Sequence, residues 1–444
     1  MSSTLHGKLG QILMPCFLVS VENPLHLPWR LLHTPDRARR RYIIYKAPNV
    51  TDKTTGLEYI YIDSKDQTKK TSTDHNKLIN HPDGVLANTL KPILKPIPPT
   101  TTDFGFISYS DQPPAVNGVT PSVASTYGHS KGVVMIGKPT GVWLLHSTPR
   151  FPFKRDNNFW PPSGAAKAQT FICVTFKYEE FEKIGQHLKD IAAFPFDHHI
   201  PPGFHQELID VKEKKKTPGQ KIQDLTSAGG ADFQSFAKKL YEYKGGKSRR
   251  RRTKTPPKPP RKPIPKAKPI TKAKAKAPSP AKQAALKDPK RFDGDLYRAI
   301  AEKYDTDVRV QTWGCQAGRD GSYCVKNQRQ VIKIESVKAD LGKGDVRWKA
   351  SNDHSKWCVG KDKHLICIAD VNRALSQYQR PGGALCFRHQ QASELFKGLI
   401  TRTEPCLSLP GATLYKRGVD SDPDCDMDCE ADNPYCDPEP MEVE

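Results

Sequence analysis

No apolar run in this chain reaches the ~18 residues that would span a membrane. No two cysteines stand at C-x-x-C, which disfavours a zinc ribbon or a thioredoxin-type redox centre. No group of His, Asp and Glu has the spacing of a zinc or magnesium site, so no metal and no cofactor are expected. Two stretches lack charge of one sign: residues 247–282 hold fifteen Lys/Arg and no acid, and residues 419–444 hold eleven acids and no base. The chain as a whole carries a formal +22, so the remainder carries +18. A basic folded body suits a polyanionic substrate and predicts salt-sensitive binding through counterion release. Hydrophobic content is only 36% because of the linker and tail, not because the core is poor.

What is present is a repeated arrangement. His129, Ser130 and Lys131 head an apolar run at 132–136; a Gly-Lys-Pro-Thr-Gly turn follows, and a second apolar run at 142–145 ends on His146 and Ser147. This reads as a β-hairpin with polar chemistry at its open end. In extended backbone, residues i and i+2 share a face, so His129 and Lys131 point the same way. The pattern returns at His354-Ser355-Lys356, followed by an apolar run at 365–369 and then Asp370, Val371 and Asn372. Lys131 to His146 is 15 positions and Lys356 to Asn372 is 16, so two half-sites of one design lie 225 residues apart. One such triplet in a Lys-rich chain with fourteen His carries little weight; two with matching spacing carry much more.

The chemistry of these residues suits a phosphate ester. Lys or Asn beside a His holds phosphate oxygens while charge builds in the transition state. One neutral His attacks phosphorus to give a phosphohistidine, and the second, protonated, gives its proton to the leaving oxygen. Lys131, Lys356 and Asn372 are the candidate phosphate holders, and either His129 or His354 is the nucleophile. His146, opposite Asn372 in the design, supports the phosphate or the first His. Acid pH is expected to keep the general acid and His146 protonated.

At these residues the sequence resembles the deoxyribonuclease II family of the phospholipase D superfamily. The likeness runs through YKAP at 45–48, GLEYIYID at 56–63, SYSDQPP at 108–114, GHSKGV at 128–133, WLLHSTPRFP at 143–152 and QTFICVTF at 169–176. It continues in DHSKWCV at 353–359, CIADVNR at 367–373 and GGALC at 382–386. It implies a metal-independent acid endonuclease that cuts double-stranded DNA to 3′-phosphate ends, lysosomal or secreted. It implies His129, His146 and His354 as essential histidines, Lys131 and Lys356 as the paired lysines, and Asn372 as the superfamily Asn. It also implies disulfides Cys367–Cys386 and Cys324–Cys406, with Cys16 as the candidate partner of Cys173. One departure stands out. Where the wider superfamily places an Asp after the lysine, this chain has Ile136 and Lys361. The carboxylate that orients the histidine must come from elsewhere. Two other readings compete: an inactive DNA-binding protein relying on the basic linker, and a phospholipase D-type lipid phosphodiesterase.

The expected fold class is mixed α/β, a pseudo-twofold phospholipase D-like body of two β-sheet halves with outer helices and the active site at the seam. Residues 1–40 form a poorly defined start. Their apolar run at 12–21 is broken by Pro15 and lacks a small-x-small cleavage site, so it does not read as a clean secretory signal. Residues 41–246 and 291–406 are the two nuclease halves, 247–290 a basic Lys/Pro-rich disordered linker and 407–444 an acidic disordered tail. The tail is expected to fold back on the linker or cleft and compete with DNA. Asn49-Val50-Thr51 is a glycosylation acceptor on the secretory route. Helical spacing of Phe181, Ile184, Leu188 and Ile191 predicts a helix at 179–194, and Phe233, Phe236 and Leu240 suggest another at 231–243. The aromatic loop at 149–162 is read either as a base-stacking surface or as ordinary packing. The sequence does not give the oligomeric state.

Overall fold

The computed structural model describes residues 41–242, 283–285 and 288–406. The N-terminal segment, the acidic tail, its contact with the linker, and residues 247–282 all lie outside that range, as does Cys16.

The first half supplies β1 (Arg41–Lys46), β2 (Asn49–Val50), β3 (Thr54–Thr55), β4 (Tyr59–Asp63), β5 (Lys70–Thr71), β6 (Phe104–Ser110), β7 (Lys131–Gly137), β8 (Thr140–His146), β9 (Gln169–Lys177) and β10 (Pro195–His199). Eight of these form one sheet in the order β10-β6-β7-β8-β9-β1-β4-β5, and β2 and β3 pair separately. Every pairing in this sheet is antiparallel. The remaining strands are β11 (Lys221–Thr226), β12 (Asp232–Ala237), β13 (Val308–Gln311), β14 (Val331–Asp340), β15 (Asp345–Lys349), β16 (Trp357–Gly360), β17 (Leu365–Ala369), β18 (Gly383–Arg388) and β19 (Ile400–Thr403). They build a nine-stranded sheet in the order β11-β12-β18-β17-β16-β13-β14-β15, with β19 against β14. Only β13–β14 is parallel. The fold is mixed α/β, as expected.

The strands obey their period of two, and both faces of each sheet are buried. In β1, Ile43 and Tyr45 face a large apolar cluster, while Tyr42 and Ile44 face a second one on the other side. In β17, Ile366 and Ile368 join that same large cluster, while Leu365, Cys367 and Ala369 face a third. The two sheets therefore share one core. Helix α1 (Val85–Leu90) covers the outer face of the first sheet. Helices α2 (Glu180–Asp190) and α3 (Gln206–Lys212) add apolar residues to the shared core. Helix α4 (Leu296–Tyr304) covers the outer face of the second sheet; α5 (Leu375–Tyr378) and α6 (Gln390–Leu399) follow. Phe181, Ile184 and Leu188 of α2, and Ile191 just after it, are completely buried, as their spacing predicts.

One local expectation fails. Residues 231–243 are not a helix: β12 pairs with β11 through Ile222↔Phe236 and with β18 through Phe233↔Phe387. A run of six residues is too short for periodicity to separate helix from strand, and pairing on both sides decides in favour of the strand. This segment precedes residues 243–282 in the chain yet belongs to the second sheet. Two disulfides match the expectation. Cys367–Cys386 joins residues paired across β17 and β18, and Cys324–Cys406 ties the end of the described chain back.

Candidate active site

The two sheets place their central hairpins so that both open ends meet. Lys131 starts β7 and His146 ends β8, while Lys356 immediately precedes β16 and Asn372 follows β17. All six candidate residues are buried, none more than 5% exposed. Each histidine triplet is held by the opposite half. The His129 N–H donates to the Pro381 carbonyl at 3.0 Å, and the His354 N–H donates to the Ala168 carbonyl at 3.0 Å. Ala168 and Asp353 form a parallel bridge across the seam. Glycines make this approach possible. A Cβ on Gly128 would stand 2.0 Å from the Ile191 carbonyl oxygen, and one on Gly382 would stand 2.4 Å from a Val371 methyl.

Asp111 organises the first half-site. It lies one residue beyond β6, where Ser110 pairs with Lys131. Its carboxylate takes the His129 Nδ1 at 2.7 Å, the Lys131 Nζ at 2.6 Å and an Arg380 nitrogen at 3.1 Å. Burial pushes this carboxyl upward, but the His129 ring that donates to it and the charges of Lys131 and Arg380 hold it well below the usual carboxylate range. A carboxylate only accepts, so His129 carries its proton on Nδ1, and its Nε2 lone pair has no hydrogen-bond partner among the described residues. Burial holds the His129 imidazole below its ordinary value despite the carboxylate, which favours the neutral ring.

His146 has the opposite tautomer. Its Nδ1 accepts the Thr148 N–H at 3.2 Å, so its proton sits on Nε2, which also has no hydrogen-bond partner among the described residues. Burial, with the charge of Lys131, keeps this ring well below the ordinary His value, a direction that runs against the expected protonation of His146 in acid. Phe151 and Phe171 wall it, with ring centroids at 4.9 and 5.7 Å. Phe151 and Phe159 are completely buried, which makes them packing residues rather than a stacking surface.

In the second half-site the Lys356 Nζ donates to the His354 carbonyl at 2.7 Å and lies 3.4 Å from His354 Nδ1. The His354 ring hydrogen-bonds the Ser147 main chain, across the seam. Burial, then the charges of Lys356, Lys131 and His129, hold His354 well below its ordinary value. Burial and Lys131 bring Lys356 down to about 7. His129, Lys131, His354 and Lys356 thus lie within electrostatic reach of one another, and His146 within reach of Lys131. Asn372 is engaged elsewhere. Its Oδ1 accepts the Trp313 N–H at 3.1 Å and its Nδ2 donates to Gln316 at 2.8 Å, while the Trp313 ring lies 5.2 Å from the His354 ring.

Behind His354, the buried Asp353 accepts Tyr45 Oη of the first sheet, Trp348 Nε1 at 2.9 Å and the Ser355 N–H at 3.0 Å. Asp111, Arg380 and Asp353 were not among the residues read from sequence. Asp111 lies in SYSDQPP, but a search for an acid downstream of each lysine passes it by. Arg380 comes from the other half, and no local pattern marks it.

Two sheets with fused cores and paired histidines and lysines at the seam define a phosphodiester-cleaving hydrolase. The deoxyribonuclease II profile matches residues 41–406, and the chain belongs to that family. It is 28% identical over 378 residues to mouse deoxyribonuclease-2-alpha, covering 82% of this chain and 90% of the mouse protein. Human deoxyribonuclease-2-beta is 27% identical over 380 residues, covering 82% and 88%. Plancitoxin-1 of Acanthaster planci is 27% identical over 380 residues, covering 82% and 89%. The chain is a nuclease of this family, with DNA as its substrate. Among the described residues no helix is long and apolar enough to cross a membrane.

Proposed function

We propose that the protein cuts double-stranded DNA internally, without a metal ion and at acid pH, through a phosphohistidine on His129. The observation that carries this reading is the Nε2 of His129, without a hydrogen-bond partner among the described residues, on a ring whose Nδ1 is fixed by Asp111 and which lies within electrostatic reach of Lys356. His129 Nε2 attacks phosphorus and the bond to the 5′-oxygen breaks. Protonated His354 gives its proton to that oxygen. Water then attacks the phosphohistidine, returning a proton to His354 and releasing the 3′-phosphate end. Lys131 and Lys356 neutralise the phosphoryl oxygens, and the His146 Nε2–H donates to one of them. Asn372 holds the Trp313 segment against His354.

Acid dependence follows from the sign of the His354 shift. A histidine held below its ordinary value takes up its proton only as pH falls, so kcat/KM rises from pH 7 towards pH 5. The test is plasmid nicking at pH 5 in chelator. The wild type should cut, and His129→Ala and His354→Ala should each lose about 10⁴-fold or more. The new ends should resist terminal extension until a phosphatase is added. Cutting that stops with chelator, or survives His129→Ala, would refute the mechanism. Two disulfides and the exposed Asn49 acceptor fit a secreted or lysosomal route. A glycosidase-sensitive mass shift on the purified protein tests that route.

A further inference from the structure

Asp370 is a carboxyl group at the seam that the mechanism above does not use. It is 4% exposed; neither of its side-chain oxygens makes a well-formed hydrogen bond among the described residues, although the Gly383 N–H lies near enough to favour its charged form. Its position is not accidental slack. Its N–H donates to the Gly383 carbonyl at 3.0 Å, and the preceding Ala369 N–H donates to the Lys356 carbonyl at 2.9 Å. A buried carboxyl without partners costs free energy wherever it serves only packing.

The groups around it come from several elements. Lys131 of β7, Lys356 before β16 and Asp111 after β6 all act on Asp370 electrostatically. Tyr109 of β6 and Tyr297 of α4 feel its charge in turn. His187 of α2 lies against Gly383, its ring 3.1 Å from where a Cβ there would stand. None of these spends a hydrogen bond on Asp370. Lys131 is committed to Asp111 and Lys356 to the His354 carbonyl. The Tyr109 oxygen accepts from Trp143, and the Tyr297 hydroxyl donates to the Val371 carbonyl. Neither lysine satisfies Asp370, and these are the same two lysines read above as the phosphate holders.

We propose that Asp370 meets the scissile phosphate as a neutral carboxylic acid, donating its O–H to a non-bridging oxygen, and that its ionisation weakens the hold on that phosphate. This rests on the active-site reading above. Burial raises the Asp370 carboxyl well above the usual carboxylate range, outweighing the two lysines, so the neutral form is the one present in acid. With Asp370 neutral, the positive charges of Lys131, Lys356 and Arg380 are left to the phosphodiester with only Asp111 paired against them directly. Ionised, Asp370 adds one negative charge to that set and turns a donor into an acceptor facing an anion. The proton moves only between Asp370 and solvent, and the covalent steps are unchanged.

The test compares KM and kcat for plasmid DNA in chelator across pH 5 to pH 8 in the wild type, Asp370→Asn and Asp370→Ala. The amide of Asp370→Asn keeps a donor and cannot ionise. Its KM should match the wild type at pH 5 and fall about tenfold below it once the pH is high enough to ionise the wild-type carboxyl. Asp370→Ala should raise KM about tenfold at pH 5. A wild-type to Asp370→Asn KM ratio that stays constant across this pH range overturns the proposal. A second arm needs neither turnover nor a folded variant: inorganic phosphate added to the wild type at pH 5 should shift a protonated-carboxyl C=O band in the infrared difference spectrum. A spectrum without such a shift overturns the proposal. Because this arm does not use DNA cutting, it separates failure of Asp370's role from failure of the nuclease mechanism.

Discussion

The two histidines of the first half-site differ in a single proton position, and each difference traces to one neighbour. A carboxylate on Nδ1 of His129 leaves a lone pair on Nε2; a main-chain N–H on Nδ1 of His146 leaves a proton on Nε2. Asp111→Asn should therefore do more than remove charge. The amide can donate to His129 Nδ1 and invert its tautomer, so kcat should fall about 10³–10⁴-fold, as for the buried aspartate of a serine-protease triad. Plasmid cutting with near-UV circular dichroism as a folding control checks this; a near-normal kcat would remove Asp111 from the mechanism. The histidines and lysines themselves were legible in the sequence, because phosphate chemistry demands those residue types and the two hairpins repeat the spacing. Asp111 and Arg380 were not, because each reaches the site through strand pairing or from the other half, and neither leaves a local periodic trace. A different residue-scale effect concerns His187, buried against Trp143 and brought down to about 3 by burial alone. Below about pH 6.5 the unfolded chain binds a proton there that the folded chain refuses, so stability is lost as pH falls, by about 2 kcal/mol at pH 5. The Tm of His187→Leu should accordingly show a shallower acid slope than the wild type; parallel slopes would count against it.

At the scale of elements, each central hairpin is a rigid arm whose open end carries the chemistry. The long, alternating or fully apolar strands β1, β6, β7, β8, β9 and β17 were readable from their residues, as was α2. Others were not. The segment of β12 carries phenylalanines at positions that suit either period, and β18 looks like a glycine-rich loop until its partners are known. What the arms require is close approach at their bases. Gly128 is one residue from His129, and a Cβ there would lie 2.0 Å from the Ile191 carbonyl oxygen and 3.2 Å from that of Pro381. Backbone on both sides cannot retreat as a flexible side chain would. Gly128→Ala should displace the His129 triplet, costing about 1–3 kcal/mol of stability and most of the activity. Thermal unfolding and plasmid nicking on the same sample check this, and an alanine variant with wild-type values in both would contradict the packing described here.

For the molecule as a whole, the two sheets are joined by more than a seam. Tyr45 of β1 reaches Asp353 and stacks on Phe396 at 5.7 Å, and the Phe176↔Ser227 bridge links β9 to the β11–β12 turn. The sheet-based architecture and the convergence of two half-sites were legible from the repeat. That the first part of the chain lends two strands to the second sheet was not, since pairing between β12 and β18 spans the long basic segment. A limited tryptic cut within residues 250–280 should therefore leave a nicked protein that elutes as one species, resolves into two bands only on a denaturing gel, and still cuts DNA. Fragments that separate without denaturant would contradict that pairing.

The same interlock has a consequence during synthesis. At about 5–20 residues per second, β12 leaves the ribosome on the order of ten seconds before β18 exists to cover it. Throughout that interval a strand edge flanked by phenylalanines stands open, the kind of edge that invites pairing with the wrong chain. The residues translated meanwhile include the stretch 247–282, with fifteen Lys/Arg and no acid. Mutual repulsion between nascent chains at that stage would keep the open edges apart until the late strand arrives.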